Sequence, residues 1–252
     1  MSAEFALMLA ASAATVAPIC TDRPTKANAV CTVPSKHFQI ESSGVGWSRT
    51  KAGGVETKSL TIASSVIKYG IGEGSDLQLG IIPYARIRSE GSSIAGFGDI
   101  TARFKHRLTG DGAPVQVAII PFVKLPTAKR GIGNRKVEGG MAIPISFALA
   151  GPVTATLGPE LDVLADSDGS GRHPAIVNLL NLSTPVASRL TLVGELWSNL
   201  SFDPAGTIKQ ASADAALAYS LSPNAQLDLG ANLGLTRETP DVEIYLGISF
   251  RS

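Results

Sequence analysis

The sequence predicts an all-β protein, an antiparallel transmembrane β-barrel of about twelve strands, and three observations carry that prediction. Apolar and polar residues alternate with period two along most of the chain. Charged residues make up 17% of it and hydrophobic residues 44%, against roughly 25% charge in soluble domains. Past the N-terminus no apolar run approaches the roughly 18 residues that a membrane helix needs. Apolar residues are dispersed one in two rather than gathered into spans, as a barrel wall requires.

The elements follow in order. Phe5 to Ile19 is apolar and rich in small residues, the pattern of a leader core, which sets residues 1–19 apart as a signal peptide. Glu4 and the lack of Lys or Arg before the core are atypical of one, and an N-terminal helix is the alternative. Residues 20–35 form a periplasmic extension holding the two cysteines, Cys20 and Cys31. Two thiols are too few for a structural zinc site; in an exported chain they close a small disulfide or stay unpaired.

Residues 36–252 are the barrel. The segments around Phe38 and Ile62 alternate less cleanly than the rest. Leu77, Leu79, Ile81 and Pro83 oppose Asp76, Gln78, Gly80, Tyr84 and Arg86. Ile100, Ala102, Phe104 and Leu108 oppose Asp99, Thr101, Arg103, Lys105 and Arg107. Val117 to Leu125 sets Lys124 against its apolar face, and Met141 to Leu149 sets small residues there. Leu157 to Val163 carries Glu160 and Asp162, and Leu190 to Leu196 carries Glu195. The segments around Val177 and Ala213 are again less clean. Leu227 to Leu235 alternates with Asp228 and Gly230, and Val242 to Phe250 with Glu243 and Tyr245.

Connections alternate in length, with short ones at Gly72–Gly74, Gly110–Gly112, Gly151–Pro152, Ala187–Ser188 and Ser222–Asn224. Longer ones fall at Ser89–Ala95, Thr127–Glu138, Asp166–Arg172, Asp203–Gly206 and Arg237–Asp241. Short turns on one end and longer loops on the other match periplasmic and outer faces.

The polar face mixes Gly, Ser, Thr and Ala with charges, which suits a lumen better than a solvated surface. Arg86, Asp99, Arg103, Lys105, Arg107, Lys124, Glu160, Asp162, Glu195, Asp228 and Glu243 are therefore the lumen and selectivity candidates. The bases cluster on early strands and most acids on later ones, so a transverse field across the lumen is expected.

Several segments also resemble one family. Thr21-Asp22-Arg23-Pro24, Cys31-Thr32-Val33-Pro34, His37 to Glu41, Ile67 to Gly70, Leu77 to Gly80, Gly96 to Lys105 and Pro121 to Thr127 are similar to an outer-membrane transporter-like family. That family is labelled with the meta-pathway of phenol degradation. The resemblance runs roughly from Thr21 to Arg251 and implies an outer-membrane barrel in a Gram-negative bacterium with a transport role. Barrels of this kind usually end on an aromatic residue read by the barrel-assembly machinery; here Phe250 is followed by Arg251-Ser252.

Other chemistry finds little footing. His37, His106 and His173 are the three histidines, and neither Gly-x-Ser-x-Gly nor His-x-Ser occurs; no catalytic residue, cofactor or metal is assigned. Asp166-Ser-Asp168-Gly169-Ser-Gly171 resembles half a calcium loop without its closing glutamate. Lys129, Arg130, Arg135 and Lys136 form a basic loop cluster that either meets lipopolysaccharide phosphates or is simply solvated. A net charge of +1 gives no reason for nucleic acid. The expected partners are outer-membrane lipid and lipopolysaccharide, the assembly machinery, and a small solute. The expected function is passive or facilitated passage of small molecules, aromatic ones among them, through a charged lumen. Alternatives are a plugged barrel acting through its outer loops and an outer-membrane lipid hydrolase.

Overall fold

The computed structural model describes residues 17–252, and the expected leader lies, through residue 16, outside the described residues. Sixteen strand segments form one sheet that closes on itself: β1 (Phe38–Ala52), β2 (Val55–Gly72), β3 (Ser75–Ile81), β4 (Tyr84–Ser89), β5 (Ser92–Gly96), β6 (Ile100–Arg107), β7 (Val115–Leu125), β8 (Glu138–Ala142), β9 (Ile145–Ala148), β10 (Thr154–Leu157), β11 (Glu160–Ala165), β12 (Arg172–Ala187), β13 (Leu190–Ser201), β14 (Ile208–Ser222), β15 (Ala225–Gly234) and β16 (Val242–Arg251). The first strand pairs antiparallel with the last, Gln39 opposite Arg251 and Arg49 opposite Val242. Closure leaves the barrel without an edge.

The sixteen segments are twelve staves, a closed twelve-stranded antiparallel barrel. Four staves are each broken once: β3/β4 at Ile82–Pro83, β5/β6 at Phe97–Asp99, β8/β9 at Ile143–Pro144 and β10/β11 at Gly158–Pro159. Three of the four breaks hold a proline, which cannot donate to the ladder.

The distribution of polarity is inverted relative to a soluble protein. Asp76, Lys105, Gln39 and Ser249 are at most 1% exposed, whereas Leu229 and Leu246 are 50% and 55% exposed. Only lipid makes that outer wall favourable, because apolar surface turned outward in water would gain nothing from folding. The protein is an outer-membrane barrel.

Both ends of the barrel strand set lie at one rim, with the turns at 73–74, 108–114, 149–153, 188–189 and 223–224. Longer loops (126–137, 166–171, 202–207, 235–241) lie at the other. The loop expected at Ser89–Ala95 is instead a two-residue hairpin turn, Glu90–Gly91, flanked by paired strands. Both turn residues take positive φ, 48° and 77°, the backbone that tight hairpins need.

Two irregularities explain why the first strands alternate poorly. The β1–β16 register slips between Ser43 and Val45, and Ala63 on β2 has φ 54°. Each slip moves later side chains to the opposite face. The break at Ile82–Pro83 does the same to β4 and corrects one lumen candidate. Arg86 pairs with Leu60, Leu60 with Trp47, and Trp47 with the exposed Ile244. Directly opposed residues share a face, so Arg86 projects from the outer wall, not into the lumen.

Candidate functional site: a partitioned lumen

The segment expected to hang in the periplasm is inside the barrel. It enters at the turn rim, where Ile19 N–H donates to Pro223 O at 2.7 Å and Arg251 Nη2 donates to Ala17 O at 2.6 Å. The Cys20–Cys31 disulfide closes it into a compact loop. Arg251, one of the two residues beyond the terminal aromatic, thus ties the wall to the segment.

Charge fixes the orientation of this segment. Asp22 faces the wall of early strands, its two oxygens 2.6 Å from Lys68 Nζ and 2.7 Å from Lys105 Nζ. Arg23 and Lys26 face the later strands, where they pair with Asp228 and Asp214. The segment's charges thus pair with bases of the early strands on one side and with acids of the later strands on the other. Backbone amides complete the seat. Glu41 accepts the N–H groups of Asp22 and Arg23 at 3.0 and 3.1 Å. Glu195 accepts those of Lys26 and Ala27, both at 3.0 Å, and Asp76 accepts that of Val33 at 2.9 Å. Lone charges in such a site would be costly, and each carboxylate here answers an ammonium, a guanidinium or a row of N–H donors.

Glu195, Asp214, Asn232 and Glu243 stand directly opposite one another on β13, β14, β15 and β16. This acidic belt is the wall that Arg23 and Lys26 approach. Gly247 allows it: a Cβ there would lie 2.2 Å from Arg23 Nη2, so the guanidinium rests on bare backbone.

The remaining candidates divide by height. Arg103 lies beside the segment, donating to Asn28 Oδ1 at 3.3 Å, with Phe122 under its guanidinium. Glu160 and Asp162 face inward above it, alongside Arg103 in one chamber wall. Lys124 bridges Glu138 at 2.6 Å and Asp99 at 3.4 Å near the loop rim, and Asp99 also caps Ala128 N–H at 2.8 Å. Arg107 is at the turn rim, paired with Asp111. Sequence reasoning missed Asp22, Arg23, Lys26, Glu41, Lys68 and Asp214. The available signal was the sign order of Asp22, Arg23 and Lys26, opposite to that of the two walls.

A chamber of about 440 Å³ lies on one side of the segment. Val66, Pro144, Val177, Leu179 and Trp197 give it an apolar wall, and Arg103, Glu160 and Asn199 a polar one. A second space of about 190 Å³ lies toward the turn rim, among Thr156, Ser183, Thr191, Ala218 and Gln226. Asp22, Arg23, Thr25, Ala27 and Asn28 line both. They are the partition.

Other groups singled out in the sequence have local partners. The Asp166 carboxylate accepts from His173 Nδ1 at 2.8 Å, and Asp168 accepts from Ser170. No cluster suited to a metal ion occurs among the described residues. Lys129 and Lys136 donate to the carbonyls of Ala95 and Gly169, each at 2.9 Å. His106 shares a 2.8 Å hydrogen bond with Ser75 on the lipid-facing wall. Among the described residues no side chain bonds the other ring nitrogen of His106.

No curated protein matches the sequence. Among solved structures, the NanC porin aligns with a TM-score of 0.55 at 10% identity over 84% of this chain and 98% of its own. The translocator domain of the autotransporter NalP from Neisseria meningitidis aligns at 0.52, with 12% identity, 87% of this chain and 90% of that one. The transport unit of the autotransporter AIDA-I from Escherichia coli gives 0.50, with 11% identity and 85% and 90% coverage. These likenesses concern the barrel fold. The family described as "Putative MetA-pathway of phenol degradation" matches residues 21–252, every stave and the lumen segment included, and the chain belongs to that family.

Proposed function

We propose that this barrel is an outer-membrane channel for passive or facilitated passage of small solutes, interrupted by its own N-terminal segment and opened when that segment moves. One observation carries the reading: the same five residues, Asp22, Arg23, Thr25, Ala27 and Asn28, line the spaces on both sides. A structural filler would leave no chamber of ligand size above it, and 440 Å³ falls in the range of about 300–1,000 Å³ typical of small-molecule sites. With Trp197, Leu179 and Val177 facing Arg103 and Glu160, the chamber suits solutes with an apolar body and a polar end. The family's description favours aromatic ones among these. Selectivity would then come from Glu160 and Asp162, inward charges beside the chamber that do not touch the partition, and from Arg103, which lines the chamber and also donates to Asn28 of the partition.

Planar-bilayer conductance of the refolded chain tests this, alongside the variant Asp22→Ala/Arg23→Ala/Lys26→Ala. Rare openings in the parent and frequent, larger ones in the variant are expected. If neither conducts while both show a heat-modifiable gel band, the barrel is a plugged one. It would then act through its outer loops, two of which are already joined where Asp203 accepts from Ser167 N–H at 2.8 Å.

A further inference from the structure

Arg49, Lys58 and Arg88 stand directly opposite one another on β1, β2 and β4. Like charges so placed repel, and a row of three needs a counter-charge. Their side of the wall is set by register: Arg49 pairs with Val242 on the apolar face of β16, and Arg86, two residues below Arg88, pairs with Leu60. All four point away from the lumen. Glu56, on the same face, bridges Lys58 at 2.6 Å and Lys51 at 3.7 Å. Among the described residues no carboxylate forms a salt bridge with Arg49, Arg86 or Arg88, and Arg49 Nε is buried without a partner.

Height identifies what faces them. On β2 the apolar wall begins at Tyr69, which packs on Phe38 with ring centroids 4.5 Å apart, and ends at Leu60. The nine steps from Leu60 to Tyr69 rise about 30 Å along the strand, or about 23 Å across a membrane at a tilt of about 40°, close to the roughly 25 Å apolar band of such barrels. Trp47 and Tyr84 mark the upper edge of this band, opposite Leu60 and Ile62. The cationic row lies one pleat above, at headgroup level, and on the loop side of the barrel. Short turns and the termini mark the periplasmic rim, so the row meets the outer leaflet.

We infer that Arg49, Lys58, Arg86 and Arg88 form a docking site for the phosphate groups of lipopolysaccharide. The site is separate from the lumen and independent of the channel reading. On the outer loop, where lipopolysaccharide contact or plain solvation is expected, Lys129 and Lys136 each give one donor to a carbonyl. The guanidinium groups of Arg49, Arg86 and Arg88 supply planar forks for phosphate oxygens, and Lys58, between Arg49 and Arg88, a point charge.

The test is titration of diphosphorylated lipid A and its dephosphorylated form against the refolded protein in neutral detergent, with the heat-modifiable gel band as the folding control. Lys58→Gln/Arg88→Gln is expected to weaken binding of the diphosphorylated form about tenfold or more, and to leave the dephosphorylated form as it was. Lys58→Arg should retain parent affinity. The inference is overturned if the double variant binds like the parent, if removing the phosphates changes nothing, or if Arg130→Gln/Arg135→Gln takes the loss instead. Should the double variant not refold, Arg88→Gln alone and the two lipids on the parent protein decide the question by the same criteria.

Discussion

The Asp22 carboxylate lies 2.6 Å from the Lys68 ammonium, and Lys105 closes on its other oxygen. One carboxylate thus holds two buried cations of the barrel wall, Lys68 and Lys105 being 2% and 1% exposed. Lys68 keeps Glu41 as a second partner, so it is Lys105 that loses its one paired carboxylate with Asp22, and breaking a buried pair from one side costs about 3–5 kcal/mol. Asp22→Ala is therefore expected to unseat the segment while the barrel, whose wall contacts are untouched, stays closed. Limited proteolysis should cut between residues 20 and 36 faster than in the parent, with an unchanged heat-modifiable band. An unchanged cutting rate would mean that Glu41, Glu195 and Asp228 hold the segment without Asp22.

The disulfide restricts the same segment by different means. Cys20 and Cys31 are 11 positions apart, and a cross-link over a loop of that size is worth about 3 kcal/mol of chain entropy. Reductant should raise channel open probability in the parent, and Cys20→Ser/Cys31→Ser should show the raised value with no further response. If reduced and oxidised protein conduct alike, the ion pairs alone fix the partition.

Gly247 offers a steric route to the same displacement. Its missing side chain is where the Arg23 guanidinium lies as it reaches Asp228. Gly247→Val stays compatible with an extended strand but pushes Arg23 off its carboxylate. Increased open probability is expected, with Gly44→Val as the control, since a Cβ at Gly44 meets nothing nearer than 3.7 Å. Equal conductance in the two variants would show that Arg23 is dispensable for closure.

The outer loops should respond to acid. Asp203 is held below the usual carboxylate range chiefly by the Ala205 N–H, with the Ser167 N–H and hydroxyl adding to it against a burial penalty. A depressed folded pKa contributes stability above the unfolded value of about 3.9, and that contribution is lost as pH falls through the lower, folded value. Protection factors at Ser167 and Ala205, with the intrinsic pH dependence of amide exchange divided out, should be equal at pH 7 and 5 and fall only below about 4. Asp203→Asn should show the lowered protection already at pH 7 and 5. A loss of protection in the parent between pH 7 and 5 would assign the loop clamp to another group.

The barrel was legible because lipid imposes one rule along a whole strand: apolar outside, anything small or paired inside. Leu227 to Leu235 and Val242 to Phe250 obey it without interruption and lie in the wall as expected. It failed where the backbone resets parity. Ser43, Ala63 and the Ile82–Pro83 break each reverse the alternation midway; Pro83 marks the last of them in the sequence, whereas nothing about Ala63 marks its reversal. On β12 the inward Val177 and Leu179 blur the pattern for a functional reason, because they form the apolar wall of the chamber. The lumen segment was hidden differently. Its residues have no period, and only the complementarity of Asp22, Arg23 and Lys26 to walls far away in sequence places them inside.

The parity reversal at Ile82–Pro83 can be tested directly through Arg86 and Arg103. Both were legible as lumen bases, but Arg86 shares the outer face with Leu60 whereas Arg103 lines the chamber. In the Asp22→Ala background, where ions should pass, Arg103→Glu should shift the reversal potential toward cation preference, because a reversed charge acts on ions only across a short, weakly screened path. Arg86→Glu faces headgroups across the wall and should leave the potential unchanged. Equal shifts would put Arg86 back in the lumen and reject the register of β4, and with it the orientation of the Arg49–Lys58–Arg88 row. No shift from either would mean that Glu160 and Asp162 set selectivity alone.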